Sequence, residues 1–416
     1  MNLRLSTLSL ILLCPICLNA GENSWPGFRN QGNSISKAEN LPLHWSPEEG
    51  IQWRKKLAGF GQSSPVINKG MVWVTATKGS NKETLIVEAF DLKSGERKVH
   101  SLFDASVTVP EVTKMISQGA PTPAIDDSGV YVFFESGDLF GLTLEGEIAW
   151  HRSIVDEFGP FVGGHGVGSS LVQNEDNLFL LIDHDGPSHL FCIDKANGQT
   201  VWDNQREPRV TWTTPLLFEA HGKKQIVVSS NGGVHCYDQE TGTLQWNLSG
   251  FEGNNVPSPT WTGGLLLIGS SSPQQCQAIQ ISPVERNGET VLNPEVAWKA
   301  GAITSSFGSP LAYKGLSFFV NRAGVLQAVR LKDGSTAWET RLPASTWASP
   351  VSAGDFAWFF CQNGKTVILS PDETGPGEPI AENDIGMSEE ERVYGVAIVD
   401  GVIVVRTGTE LIAIGN

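Results

Sequence analysis

Residues 192–202 read Cys192-Ile193-Asp194-Lys195-Ala196-Asn197-Gly198-Gln199-Thr200-Val201-Trp202. A small residue opens the stretch, an Asp begins a turn, a Gly ends it, and a short strand closes on Trp. Cys236–Trp246 keeps Asp238, Gly242 and Trp246, and Ala328–Trp338 keeps Ala328, Gly334 and Trp338. Ala89–Val99 keeps Ala89, Asp91 and Gly95 but has Val99 where the Trp would stand. The closing tryptophan recurs more widely, in Ile51-Gln52-Trp53, Ile148-Ala149-Trp150 and Val296-Ala297-Trp298. From Trp150 to Trp338 the gaps are 52, 44, 52 and 40 residues, and the 97 residues from Trp53 to Trp150 span two periods with Val99 between. A period of this size marks a repeat architecture.

Each repeat has one grammar. A Ser/Thr-Pro step opens it, as at Ser64-Pro65, Thr122-Pro123, Thr214-Pro215, Ser258-Pro259, Ser309-Pro310 and Ser349-Pro350. A β-rich run follows, then a strand ending in the Asp/Gly turn, then the Trp strand. Four short strands per 40–52 residues is the pattern of a propeller blade. The fourth-strand slots fall at 53, 99, 150, 202, 246, 298, 338 and about 380. Ile51–Leu57 precedes the first full unit, and the last unit, through Leu411–Ile414, lacks a fourth strand. Pairing these two orphans closes the ring and removes two open sheet edges. The expectation is an all-β, eight-bladed β-propeller of four-stranded antiparallel blades closed by the N-terminal strand, with seven blades as the fallback.

Composition agrees. Of 416 residues, 45 are Gly and 13 are Trp, while only 18% are charged, which suits a turn-rich all-β chain. The net charge of −16, with no Lys/Arg-rich run, repels phosphate backbones and excludes nucleic acid as a partner. Arg4, the apolar run Leu8–Leu13 and Leu18-Asn19-Ala20 read as a signal peptide over residues 1–20. That run is too short to span a bilayer, and no later segment is long enough. Leu13 and Ile16 precede Cys14 and Cys17 where lipoprotein processing needs a small residue, which disfavours a lipid anchor. Residues 21–50 then form an N-terminal arm and 51–416 the propeller, exported to the periplasm or outside the cell, as a monomer.

The stretch at 192–202 resembles the tryptophan-docking motif of pyrroloquinoline-quinone (PQQ) repeat propellers. In that motif a small residue and a Gly leave a slot in which the next blade's indole stacks, burying about 150–250 Å² per ring. The resemblance covers nearly the whole mature chain and implies the fold more strongly than any activity. Dehydrogenases of this fold hold the quinone with calcium beneath a disulfide between adjacent cysteines, and this sequence has no Cys-Cys pair. The compact blades are more similar to cofactor-free relatives, including the BamB-type scaffold. Trp25-Pro26-Gly27-Phe28-Arg29-Asn30, followed by Leu41-Pro42-Leu43-His44-Trp45, resembles the "WPxFRG" opening of secreted PQQ-like proteins of planctomycetes, with Asn30 in place of the usual Gly. No cofactor is therefore expected; PQQ with calcium is the alternative.

The chemistry-bearing residues do not form a catalytic set. Cys192 and Cys236 take the small-residue slot, Cys276 lies two residues before Ala278, and Cys361 follows a strand, so buried free thiols are expected. Asp183-His184-Asp185-Gly186 reads as a hairpin turn rather than a cation loop. The glycines around His165 precede no helix that could hold phosphate. No catalytic and no metal site is assigned. The loops entering the innermost strands carry the strongest constellation. Gln62, Trp212, Phe307 and Trp347 stand two residues before the Ser/Thr of the strand opening, and Tyr394 is similarly placed in the last blade. Arg209, Asn255, His165 and Arg392 share these loops. The nine residues are read as an amphipathic rim at the channel mouth, the alternative being that the rings plug the channel as core. The function expected is a non-catalytic scaffold that binds a protein or polysaccharide at the cell envelope. The alternative is a quinoprotein-like oxidoreductase or a glycan-active enzyme.

Overall fold

Each repeat folds into one sheet, because its apolar strands are buried on both faces and only another sheet can cover them. Asn177–Ile182 and Ser188–Asp194, for example, are buried along nearly their whole length, while the outer strand Thr200–Arg206 is mostly exposed. The computed structural model describes residues 23–109, 119–251 and 255–416; the expected signal peptide with Cys14 and Cys17 lies outside the described residues. Eight antiparallel blades result. Their innermost strands are Val66–Asn68, Ala124–Ile125, Val172–Gln173, Leu216–Ala220, Thr260–Thr262, Leu311–Tyr313, Val351–Ala353 and Gly395–Val399. The last blade takes Ile51–Lys56 as its outer strand, with Ile51 opposite Ile414 and Lys56 opposite Glu410, so the N-terminal strand closes the ring. Eight blades replace the seven-blade fallback. The apolar core is divided among blade interfaces: Phe133 and Leu139 of the second blade meet Leu180 and Phe191 of the third.

The docking turns act between blades as the motif requires, with one correction. The indole comes from the preceding blade, not the next. Trp53, Trp150, Trp298 and Trp338 donate their N–H to the backbone oxygens of Leu92, Lys195, Leu331 and Asp372, at 2.9, 2.8, 2.8 and 2.8 Å. The turn glycine is forced by two conditions at once. Gly198 has φ +74°, and a Cβ there would sit 2.5 Å from the Trp150 ring. The small residue serves its own blade, lying opposite that blade's tryptophan: Cys192 faces Trp202, Cys236 faces Trp246 and Ala278 faces Trp298. Trp246 is the exception among the docked rings. Its buried N–H has no partner, because the next blade turns through the long hairpin Gln277–Arg286 and Glu289–Lys299 and has no docking turn. All four described cysteines are buried and free. Burial pushes the Cys276 thiol up to about 12.

The Ser/Thr openings are tied into a relay around the channel. The backbone N–H of Ser64 donates to Thr122 Oγ1 at 2.9 Å, Thr122 to Ser170 Oγ at 3.0 Å and Ser170 to Thr214 Oγ1 at 3.0 Å. Thr214 then donates to Ser258 Oγ at 2.9 Å, Ser258 to Ser309 Oγ at 2.9 Å and Ser309 to Ser349 Oγ at 3.0 Å. The strand openings of the first six blades thus each satisfy a buried donor with the next blade's hydroxyl. The relay stops at the last blade, where a Cβ on Gly395 would lie 2.3 Å from Ser64 Oγ.

Candidate functional site

The N-terminal arm closes the middle of the ring. Trp25 exchanges two 2.8 Å backbone hydrogen bonds with Ile67 of the first blade, and Pro26 accepts the N–H of Ile125 of the second at 2.9 Å. A turn follows in which Arg29, Asn30 and Gln31 all take positive φ, of 55°, 48° and 61°. Asn is among the few non-glycine residues that adopt this conformation readily, which accounts for Asn30 in the glycine position of the motif. The arm then runs parallel to the seventh blade through Ile35–Ser36, and Ser36 Oγ donates to Ile398 of the eighth at 3.0 Å. Residues 25–36 therefore touch blades on every side of the channel before the chain reaches its outer strand.

Above the arm lies a cavity of about 100 Å³. Its floor is Trp25, Phe28, Arg29 and Ser34; its wall includes Ser64, Thr122, Ser170, Thr214 and Ser349 of the relay. The rim follows a simple rule, since the residue two before each relay position lines the mouth. That rule yields Gln62, Trp212, Phe307 and Trp347, and also Ala120, Gly168 and Val256, which sequence reading passed over because they are small. Tyr394, one residue before Gly395, completes the circle.

The large rim residues gather in an arc. Phe307 stacks on Trp347 at 4.5 Å and 12°, Trp347 meets Tyr394 edge-on at 5.5 Å, and Tyr394 meets Phe60 edge-on at 6.0 Å. Arg322 lies over Phe307 at 5.4 Å, a cation–π arrangement. Phe307 and Trp347 are half-buried, whereas Trp212 and Tyr394 are 8% and 9% exposed. Phe307 and Trp347 are thus the more exposed rings of the circle, and Trp212 and Tyr394 the more buried. Burial raises the Tyr394 hydroxyl above its ordinary pKa, and a hydrogen bond with Gln62 partly offsets this. Trp212 leans across Gly168, where a Cβ would lie 3.2 Å from its ring, and donates to Gly166 O at 3.2 Å. Exposed His165 meets Trp212 edge-on at 5.6 Å.

His165 and the remaining three expected residues do not line the cavity. Asn255 is buried, and its backbone carbonyl accepts the backbone N–H of Trp212 at 3.0 Å, so it fixes the loop that carries that ring. Arg209 reaches away from the channel to Glu207 O at 3.0 Å and to His235 Nε2 at 3.4 Å. Arg392 is exposed beside Tyr394, and its charge favours the ionised hydroxyl. Sequence reading missed Arg29, Phe60 and Arg322; the first was quoted only as part of an opening motif, and nothing local marks the others. Asp183 belongs to a buried structural network, accepting from Arg206 Nε at 2.9 Å and Ser230 Oγ at 2.6 Å. His184 Nδ1 accepts the N–H groups of Val162 and Gly186 at 2.9 and 3.0 Å, so the 183–186 stretch is a bonded turn. Among the described residues no group of three or more His, Cys, Asp or Glu is arranged to hold a metal ion. Nor, among them, is any helix long and apolar enough to cross a membrane.

Eight four-stranded blades joined by tryptophan-docking turns define the class: a PQQ-like repeat β-propeller. The chain belongs, within that class, to the family described as outer membrane protein assembly factor BamB, which it matches over residues 43–179 and 186–282. BamB of Shewanella oneidensis is 27% identical over 124 residues, covering 30% of this chain and 27% of that protein, so the alignment spans about a quarter of the relative's length. Among solved structures, BamB from Moraxella catarrhalis superposes with a TM-score of 0.59 at 15% identity, over 87% of this chain and 96% of that one. Quinohemoprotein alcohol dehydrogenase from Comamonas testosteroni gives 0.62 at 12% identity, over 96% and 81%. At these identities the structural likeness is one of fold.

Proposed function

We propose that this protein is a non-catalytic scaffold of the cell envelope that holds an extended segment of a protein partner across the channel mouth. The observation that carries the reading is the arc of Phe307, Trp347 and Tyr394, the first two half-buried, over a recessed floor that includes Arg29. Aromatic rims of this kind bind chains that have both apolar and polar groups. Membership of a family described as an assembly factor favours a protein partner, and the apparent signal peptide favours export.

The residues at the channel do not fit calcium and quinone. The cavity of about 100 Å³ is well below the roughly 300–1,000 Å³ of sites for drug-sized ligands. No carboxylate is among the described residues that line it, and the arm occupies its floor. We derive no redox step.

The test is selection of displayed random peptides against the mature chain, followed by titration of the enriched peptides beside a polysaccharide panel. Trp347→Ala and Phe307→Ala are expected to weaken peptide binding at least tenfold with the fold intact. Peptides indifferent to both substitutions, a polysaccharide that binds in their place, or dye reduction dependent on PQQ and calcium would overturn the proposal.

A further inference from the structure

The floor of the channel holds a cation that no acid among the described residues balances. Arg29 is fully buried, and its five N–H directions are all used. Nε donates to Ser34 Oγ at 3.0 Å, Nη1 to the carbonyls of Pro259 and Ser258 at 3.0 and 3.4 Å, and Nη2 to Thr260 Oγ1 and to Pro310 O at 3.2 Å. These acceptors are neutral. They satisfy the guanidinium's hydrogen bonds but leave its charge in a poorly solvated place. Burial alone pulls its pKa down, to about 9, with no carboxylate acting on it, so it keeps its charge at neutral pH.

Hydrogen-bond donors also line the cavity, beside the side-chain oxygen of Gln62. The Trp25 indole N–H is buried and has no partner among the described residues. Ser64, Thr122, Ser170, Thr214 and Ser349 line the same space. The hydroxyls of Thr122, Ser170, Thr214 and Ser349 each accept a backbone N–H in the relay, and no hydrogen bond among the described residues uses their own protons. Glu135 accepts the N–H of the lining residue Ala120 at 2.9 Å and Glu391 accepts from Thr409 at 2.8 Å, and no acid is among the described residues that line the cavity. A chain of net charge −16 thus has at its centre a recess that is cationic and rich in donors.

We infer that this recess is a carboxylate subsite, which takes an acidic side chain or the C-terminal carboxylate of the polypeptide lying across the rim. The recess has room for a carboxylate group, with about 100 Å³ of space. Charge sets the sign. An anion near Arg29 lowers the cost of burying that cation, and it accepts from Trp25 and the wall hydroxyls without displacing any existing bond. This inference rests on the scaffold reading for what bears the carboxylate, and on the cavity alone for the carboxylate itself.

The first probe is sodium acetate, titrated against sodium chloride of equal ionic strength and against acetamide, its neutral isostere. Acetate, and not acetamide, is expected to raise the melting midpoint by a few degrees and to move the Trp25 indole resonance in a ¹H–¹⁵N spectrum, assigned through Trp25→Phe. Arg29→Gln is expected to abolish the effect. Because Arg29 also anchors the arm, Trp25→Phe serves as the second variant; it keeps the ring and removes the donor, and is expected to weaken acetate several-fold. Equal responses to acetate and acetamide, or acetate binding unchanged in both variants, would overturn the subsite. The second probe is an enriched peptide with a free or amidated C-terminus and with Glu replaced by Gln, beside digalacturonate. A tenfold preference for the carboxylate form of the peptide supports the assigned bearer; stronger binding of digalacturonate overturns it. Trp347→Ala separates the two readings. It should weaken the peptide and leave acetate unchanged, and a peptide unaffected by it refutes the scaffold reading while the acetate result stands.

Discussion

The outer and inner ends of the blade junctions perform the same task with opposite chemistry. At the outside, a flat indole is clamped against a turn glycine and donates to a carbonyl of the next blade, as Trp150 does to Lys195 and Trp298 to Leu331. At the inside, backbone N–H groups are passed from blade to blade on Ser and Thr hydroxyls. Both contacts meet backbone, so both repeat around the ring. Two residues before each hydroxyl the chain meets open space, and there the side chains range from Gly168 to Trp347. Repetition marks what holds the ring together, and its failure marks what the ring presents.

That contrast can be broken most forcefully at the outside. Trp298→Ala removes a buried indole and its hydrogen bond, and should cost about 3–5 kcal/mol in a urea unfolding curve. A loss below 1 kcal/mol would mean that the outer junction is not the main clamp. At the inner ring, Gly395→Val forces a side chain into the place of Ser64 Oγ, which should cost about 1–3 kcal/mol. Thr214→Val leaves the Ser170 N–H without its acceptor and should cost at most about 1–3 kcal/mol by the same assay. An unchanged midpoint would show that the relay is incidental.

A smaller effect distinguishes the polar junction of the third and fourth blades. Burial first, then the charges of Arg206 and Arg209, pull the His235 pKa from 6.5 down to about 4. The unfolded chain therefore binds the extra proton between those values, so stability rises with pH across that window and is complete above it. His235→Asn should flatten that part of the melting profile, and a profile of unchanged slope would contradict the assignment. The smallest stability effect is expected at Trp347→Ala, about 1 kcal/mol or less, because the ring is half-exposed and meets other rim rings rather than backbone. A loss of several kcal/mol would make the arc part of the core.

Much of this was legible before any coordinates. The eight slots, the closing strand and the need for Gly198 follow from patterns confined to a dozen residues, where strand, turn and indole are set by local geometry. The direction of docking was not legible, since a motif states that a slot and a ring exist but not which neighbour supplies the ring. The rim was read in part. Spacing picked out Gln62, Trp212, Phe307 and Trp347, yet it passed over Ala120, Gly168 and Val256, because attention to aromatic side chains hid the rule that all seven share. Asn255 and Arg209 were assigned to the mouth from loop membership, and their side chains point elsewhere.

Period and turn chemistry were enough to establish an eight-bladed ring closed by its first strand, because each repeat specifies its own sheet and its own clamp. Only the tertiary structure could place Arg29 in the channel. Its partners Ser258, Pro259 and Pro310 lie 229, 230 and 281 residues away along the chain, and no local pattern encodes a contact across that distance. The uncompensated charge at the centre arises in the same way. It depends on which groups the closed ring keeps out of the channel, and that is decided when all eight blades and the arm meet there.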